Sequence, residues 1–389
     1  MLIAMPSEQI LLQGLAERLG EAEANLTWQA HKGRTTQNAL PFGDHHAALQ
    51  SMLTHVMQQF GQAITAVGHR VVHGGEQFIA PTLLTAENII AIDALSHLAP
   101  LHNPANLLGI RVAMQLLPDV PHVAVFDTAF HYTMPPHASR YAVPYDWYET
   151  YGVRRYGFHG SSHENVAKQA AITLGLPLHD CQLITAHLGN GCSAAAISGG
   201  VSLDTTMGIT PLEGLMMGTR SGDVDPGLHA FMARQSGLSL DEITHILNRE
   251  SGLLGVSGLS HDMRTLLQAA ESGHERAALA IDLFCYRLAK SIAALTAALT
   301  RLDAIIFTGG IGEHAAPIRE KTIAHLGCLG VVIDIERNHN HGINHHGMIS
   351  PHEANIAVLV IPTHEEAMIA RHVCDCIAAH NITPFEDNV

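Results

Sequence analysis

The feature that most constrains this chain is a recurring alternation. Short apolar runs each stop at a glycine or a polar turn, and amphipathic stretches lie between them. Residues 64–72 read as a strand turning at Gly74-Gly75, and residues 122–126 as a strand ending at Asp127. Residues 182–186 lead into His187-Leu188-Gly189-Asn190-Gly191, and residues 193–197 follow at once, which predicts a hairpin. Residues 303–307 run into Thr308-Gly309-Gly310-Ile311-Gly312-Glu313, and residues 356–361 close the series before Pro362-Thr363. Apolar residues at helical spacing predict helices over 162–174, 240–248 and 275–299. Such alternation points to α/β layers with helices packed on sheets. At 389 residues the chain is long for one core and sufficient for two domains.

Composition narrows the function classes. With 47% hydrophobic and 15% charged residues the chain is globular rather than disordered. A net charge of −15 argues against nucleic acid or an anionic membrane as partner. Small anions stay open as ligands where local Arg or Lys reverses the field. No apolar run reaches membrane-spanning length, and the most apolar helical stretch, 288–299, is broken by Lys290. The first six residues are too short and uncharged for a secretory leader. Six cysteines without zinc or redox spacing fit reduced thiols, and so a cytoplasmic location. Histidine is abundant, at 29 residues, and is concentrated at 339–346; without a Cys or carboxylate cluster that segment reads as a polar surface loop rather than a metal site.

Glycine turns at strand ends let a backbone approach an anion and point N–H groups at it, so 187–191 and 309–313 are candidate phosphate loops. Asp127 follows the apolar run Val123-Ala124-Val125-Phe126, at the carboxyl end of a strand where open α/β sheets bind ligands. As an alternative it caps a following turn. Arg70 lies within an apolar strand, where a buried guanidinium needs an acidic partner or an anionic ligand. Arg220 sits among small residues in Gly218-Thr219-Arg220-Ser221-Gly222, which would let it project into a cleft. Either arginine alone also fits a structural ion pair. In Tyr156-Gly157-Phe158-His159-Gly160-Ser161-Ser162-His163, one histidine would bond backbone or cap the helix while the other faces substrate.

Taken together these segments resemble the acetate kinase family, within the superfamily of sugar kinases, heat-shock 70 proteins and actin. The matching stretches are 69–75, Ala99-Pro100-Leu101-His102-Asn103-Pro104, 125–131, 154–163, 187–191, 204–226, 250–255, 308–313 and 361–366, nearly the whole chain in order. The resemblance implies a two-domain, duplicated actin-like (ribonuclease H-like) α/β fold, with mixed sheets flanked by helices and a central cleft. Residues 1–129 with 362–389 would form the carboxylate and metal domain, and 130–361 the nucleotide domain. It implies reversible, direct in-line phosphoryl transfer from ATP to acetate, giving acetyl phosphate and ADP. Arg70 and Arg220 would grip the carboxylate and the phosphoryl group, and His159 would donate to the phosphoryl oxygens. Asp127 would position the attacking carboxylate, directly or through Mg²⁺ (or Mn²⁺), and Glu365 would help hold that metal. His187, Leu188, Gly189, Asn190 and Gly191 would hold phosphate. Gly309, Gly310, Ile311, Gly312 and Glu313, with Asp262, Met263 and Arg264, would lie on the adenosine side. Val72, Leu101, Phe158 and Pro211 would enclose the acetate methyl. A homodimer is also implied.

The sequence departs from the family at its start. The family opens with a strand and an Asn-x-Gly-Ser-Ser-Ser-x-Lys loop, whereas this sequence begins in what would be the next strand. About 15–20 residues of strand and turn are thus expected to be lacking. A chain without them would be a poor kinase, with Met1 to Met5 left unpaired. His364 stands where the family usually has Asn. The alternatives are a propionate or other short-chain carboxylate kinase, and a catalytically impaired nucleotide-binding form.

Overall fold

A computed structural model describes residues 1–30, 33 and 35–380 of the chain. These fall into two compact units: Met1–Ala129 together with the chain from His364 onward, and Phe130–Thr363.

The first unit holds two sheets. In one, β1 (Leu2–Ala4), β2 (Gln9–Glu17), β3 (Asn25–Ala30) and β4 (Thr35–Ala39) run antiparallel in that spatial order. In the other, β5 (Val67–Val71) pairs in parallel with β7 (His122–Phe126), and the short β6 (Thr82–Leu83) joins β7 from the far side. Successive side chains of a strand point to opposite faces, and β7 uses both. Ala124 and Phe126 pack with Val71, Ile92, Leu107 and Ile110, while Val123 and Val125 pack against Val373 and Ile377 of the helix Glu365–Ala379. Burial on both faces is why this strand reads as an uninterrupted apolar run.

The second unit is built on one five-stranded mixed sheet. Its strands are β8 (Gln182–Leu188), β9 (Cys192–Ser198), β10 (Val201–Thr205), β11 (Ala304–Thr308) and β12 (Ala357–Val360), in spatial order β10-β9-β8-β11-β12. β8 and β9 form the expected antiparallel hairpin, and β11 runs parallel to both β8 and β12. The helix Gly160–Leu174 lays Val166, Ala167, Ala170 and Ala171 on Leu183, Ala195, Ile197 and Ile306. Four small or β-branched residues on one face let the helix approach the sheet closely. The long helix Glu275–Leu295 contacts β8 and β9.

The α/β class with mixed sheets and packed helices is therefore the one expected. Several details differ. Strands β2, β3 and β4 had no counterpart in the sequence reading; β4 is exposed throughout, and β2 and β3 bury only Leu12, Leu26 and Trp28. Met1 to Met5 is not wholly unpaired: Leu2, Ile3 and Ala4 pair with Leu12, Ile10 and Gln9 of β2. The 275–299 helix ends at Leu295 and continues as a single 3-10 turn. The histidine-rich segment is more than a polar surface loop. It comprises the end of the helix Ile335–His339 and a 3-10 turn Ile343–His345. There the ring of His341 accepts a 3.0 Å hydrogen bond from the fully buried Arg319. Among the described residues no helix is long and apolar enough to cross a membrane.

Candidate active site

In the first unit, parallel pairing brings the carboxyl ends of β5 and β7 together, with Arg70 opposite Val125 and Val71 opposite Phe126. Asp127, one residue beyond β7, donates its N–H to the Val71 carbonyl at 3.0 Å. Its carboxylate thereby lies beside Arg70, whose Nε donates to Oδ1 at 2.9 Å and Nη2 to Oδ2 at 2.7 Å. This forked pair is the stronger class of charged hydrogen bond. Glu365, the first residue of its helix, brings Oε2 to 3.9 Å from Arg70 Nε. Asp127 foremost, with Glu365 adding less, pushes the Arg70 guanidinium above its ordinary range, so its charge is permanent. The expectation of a buried arginine is corrected: the Arg70 side chain is 43% exposed while Asp127 is buried, because β5 buries only alternate positions. The described hydrogen bonds of the Asp127 carboxylate go to Arg70 rather than to the N–H groups of a following turn, and each oxygen keeps a further lone pair. Nearby, the Val72 N–H donates to Asn106 Oδ1 at 3.1 Å, and Leu101 is exposed.

Among the described residues no cluster of three or more His, Cys, Asp or Glu could hold a metal ion by itself. Mg²⁺ needs less than that: one or two carboxylates, with substrate phosphates and water completing the octahedron. Asp127 and Glu365, hard oxygen donors close to the same guanidinium, fit that mode.

The second unit gathers a different set. His159 occupies the left-handed region at φ 59°, just before the helix Gly160–Leu174. A left-handed backbone is uncommon outside glycine; here it turns the ring toward the β8–β9 hairpin. The His159 ring shares a 2.8 Å hydrogen bond with Ser193 Oγ and stacks on His187 with centroids 4.3 Å apart. His163, one turn on, is fully buried. It bonds Thr185 Oγ1 at 2.7 Å and Ser193 Oγ at 2.8 Å, and burial holds it well below the usual imidazole range. Of the two histidines, then, His163 is the structural one. His187 shares a 2.8 Å bond with Ser162 Oγ, which in turn meets Thr363 Oγ1 at 2.7 Å.

Arg220 reaches the same hairpin. A methyl placed on Gly191 would sit 3.3 Å from Arg220 Nη1 and 3.4 Å from His159 Nε2. Arg220 donates to the Pro211 carbonyl at 3.2 Å and approaches Met217 Sδ at 3.6 Å, and no described carboxylate pairs with it. Desolvation pushes its guanidinium below the ordinary range. A half-buried cation without a counter-charge, beside a histidine and a glycine turn, is an arrangement that favours an anion.

The remaining predicted residues fall in this unit as follows. Gly189, Asn190 and Gly191 form the tight turn between β8 and β9, closed by the Gly189 N–H to Gly191 carbonyl bond of 3.0 Å. His187 and Leu188 are the last residues of β8. Gly309 to Glu313 is not an open loop but the start of a short helix, Gly309–His314. Gly309 has φ +74°, and a methyl there would lie 2.9 Å from the Leu188 carbonyl, so β11 can follow β8 this closely only with glycine. Glu313 Oε1 accepts from the Gly309 and Thr363 N–H groups at 3.0 and 3.1 Å. Asp262 caps the helix Met263–Glu271 by accepting from the Arg264 N–H at 2.8 Å, and the exposed Arg264 side chain folds back on it. Phe158 is buried, and its carbonyl bonds the His131 ring at 3.0 Å; Pro211 is half-buried. Sequence reasoning assigned nothing to Ser193, which bonds the His159 and His163 rings, to Thr185, which bonds His163, or to Ser162, which bonds His187 and Thr363. The only signal was their position next to glycine turns and strand ends.

The chain matches the family model described as the acetokinase family over residues 1–371. It is 56% identical to the acetate kinase of Deinococcus radiodurans over 94% of this chain and 92% of that protein. It is 54% identical to the acetate kinase of Ectopseudomonas mendocina over 95% and 93%. Among solved structures, a propionate kinase from Francisella tularensis superposes with a TM-score of 0.91 at 42% identity, over 96% of this chain and 95% of that one. The acetate kinase of Porphyromonas gingivalis gives 0.88 at 42% identity, over the same shares. These are kinases of the actin-like ATPase fold, and the chain belongs to the acetokinase family.

Proposed function

We propose that this chain catalyses reversible phosphoryl transfer between ATP and acetate, giving ADP and acetyl phosphate. The observation that carries the reading is Arg220, a half-buried cation without a described counter-ion, beside His159 and Gly191. Phosphoryl transfer asks little covalent work of a protein. It needs alignment, and positive charge where the equatorial oxygens spread their negative charge. Arg220 and His159 supply that charge, and Ser193 holds the His159 ring in place. A carboxylate acceptor is already ionised at neutral pH, so no general base is needed. Arg70 takes the acetate carboxylate on its exposed side while Asp127 fixes its fork. Asp127 and Glu365 would hold Mg²⁺ (or Mn²⁺), which when bound neutralises charge on the nucleotide phosphates. The turn 187–191 receives phosphate, and 309–313 with 262–264 serve the adenosine. Val72, Leu101, Phe158 and Pro211 set the size of the acid accepted. In this reading the first unit handles carboxylate and metal and the second handles nucleotide, in a cytoplasmic homodimer.

The second reading, propionate as the preferred acid, draws on the propionate kinase from Francisella tularensis, which is 42% identical. One methylene is worth about 1–3 kcal/mol in such a pocket. ATP-dependent acyl phosphate formation, trapped with hydroxylamine, separates the two through kcat/KM for acetate and for propionate. A preference for propionate would replace the first reading with the second. No turnover with either acid, alongside intact nucleotide binding, would leave an impaired nucleotide-binding form.

A further inference from the structure

Four side chains of the second unit form an unbroken run of hydrogen bonds that ends beside the Gly191 turn. Thr185 Oγ1 lies 2.7 Å from His163 Nδ1, and His163 Nε2 lies 2.8 Å from Ser193 Oγ. Ser193 Oγ lies 2.8 Å from His159 Nδ1. Strand pairing builds this run. Thr185 is opposite Ala195 and His187 is opposite Ser193 across the β8–β9 hairpin. Thr185 and Ser193 therefore belong to the face of the sheet that carries Leu183, Ala195 and Ile197. The helix Gly160–Leu174 covers that face, and His159 and His163 stand at its start.

A count of protons decides which way each bond runs. Thr185, His163 and Ser193 are fully buried, and among the described residues neither hydroxyl has a further partner. Each hydroxyl brings one proton. Burial, with His131 and His187 nearby, holds His163 well below the ordinary imidazole range, so it is neutral and brings one more. Three protons then serve three hydrogen bonds. Thr185 donates to His163 Nδ1, His163 Nε2–H donates to Ser193, and Ser193 donates to His159 Nδ1. A proton on His159 Nδ1 would be a fourth. It would leave the O–H of Thr185 or of Ser193 buried without an acceptor, a state that folded proteins avoid.

We propose that Thr185, His163 and Ser193 are positioning residues that hold His159 as a neutral imidazole with its proton on Nε2. That nitrogen lies on the side of the ring next to Gly191: a methyl on Gly191 would sit 3.4 Å from it and 3.3 Å from Arg220 Nη1. The surroundings act in the same sense. His159 stands at the N-terminal end of a 15-residue helix, whose dipole disfavours a cation there. His187, stacked at 4.3 Å, and Arg220, across Gly191, face the ring, and the charge of Arg220 disfavours a second one. The run orients protons and moves none. Its use rests on the phosphotransfer reading: the Nε2–H meets a phosphoryl oxygen, and the charge that His159 supplies is the positive end of that bond, while Arg220 carries a full charge.

The first step of the test uses no substrate. In the full chain with nitrogen-15 in the histidine rings, two-bond proton–nitrogen correlations show which ring nitrogens hold a proton. His159→Gln identifies the His159 signals by their loss. At neutral pH the parent should show His159 protonated on Nε2 alone; a proton on Nδ1, or on both nitrogens, would overturn the proposal. Ser193→Ala removes the donor to Nδ1 with little change in size. Its His159 ring should populate both tautomers, and should take up a second proton at higher pH than in the parent, where a proton on Nδ1 must displace the Ser193 O–H. A lowered melting temperature with the His159 tautomer and titration of the parent would make Ser193 merely structural and sink the idea. The parent spectrum decides the tautomer even where Ser193→Ala does not fold. In acyl phosphate formation, Ser193→Ala should lower kcat about tenfold with KM for ATP unchanged. Parental kcat alongside a changed tautomer would overturn the use assigned to the Nε2 proton. No turnover in the parent would instead overturn the phosphotransfer reading, and the spectra would still decide the tautomer.

Discussion

Arg220 carries its charge without a carboxylate partner among the described residues, and desolvation already works against it. Its removal should therefore leave the fold intact or slightly more stable while removing an interaction made to the transferring group. Arg220→Ala should lower kcat/KM by about 10²–10³, as loss of one transition-state donor does, with an unchanged or raised melting temperature. Activity near that of the parent would return Arg220 to a packing role. Asp127 is the opposite case, since it balances Arg70 through two hydrogen bonds. Asp127→Asn should raise the Mg²⁺ concentration needed for half-maximal turnover, and a superimposable Mg²⁺ titration would remove Asp127 from metal binding. Val72→Ala should shift the ratio of kcat/KM values toward propionate by on the order of tenfold; an unchanged ratio would take Val72 out of the pocket. Arg70 and Asp127 were legible in the sequence because a charge at or beside an apolar run is conspicuous. Their mutual bond was not, because the two residues lie 57 positions apart and only strand pairing aligns them. Ser193 and Thr363 were illegible for a related reason: hydroxyl residues next to turns are common, and what singles these out is an imidazole brought from another element.

Two glycine turns bound the second unit's site, and they make opposite demands. Gly191 is not in the left-handed region, so its backbone tolerates a side chain, but a methyl there meets Arg220 and His159. Gly191→Ala should thus depress turnover while thermal melting moves little. Gly309 sits at φ +74° with the Leu188 backbone 2.9 Å from a prospective methyl. Gly309→Ala should cost about 1–3 kcal/mol of stability from backbone strain alone, visible as a lower melting temperature whether or not activity survives. Equal effects of the two substitutions on stability would contradict this division. The elements behind these turns were legible as apolar runs with glycine ends, because β7, β8, β9 and β11 are buried along nearly their whole length. β4 was not, because it is exposed at every position, and β2 was not, because it buries only Leu12.

At the scale of the whole molecule, several buried imidazoles tie stability to pH. Burial lowers His131 from 6.5 to about 4, lowers His69 to about 3, and holds His163 well below the ordinary range. Each is neutral when folded and takes a proton when unfolded below 6.5, so the unfolded chain binds more protons in that window. Stability is then full above about pH 6.5 and falls as the pH drops toward 4. The His131 shift corresponds to roughly 3 kcal/mol at most. Melting temperatures between pH 7.5 and 5 should fall, and His131→Gln, which can still reach Ser202 and the Phe158 carbonyl, should flatten the slope. A flat profile in the parent would refute the linkage. The division into two units has a consequence for synthesis. The first unit is interrupted by Phe130–Thr363 and resumes only at His364. Its β7 residues Val123 and Val125 are covered by Val373 and Ile377, on the helix made last. On a ribosome, that face waits through the translation of the whole second unit, roughly 10–50 s at ordinary elongation rates. The nascent first unit thus remains a client for chaperones, while the second, encoded without interruption, can fold as it emerges.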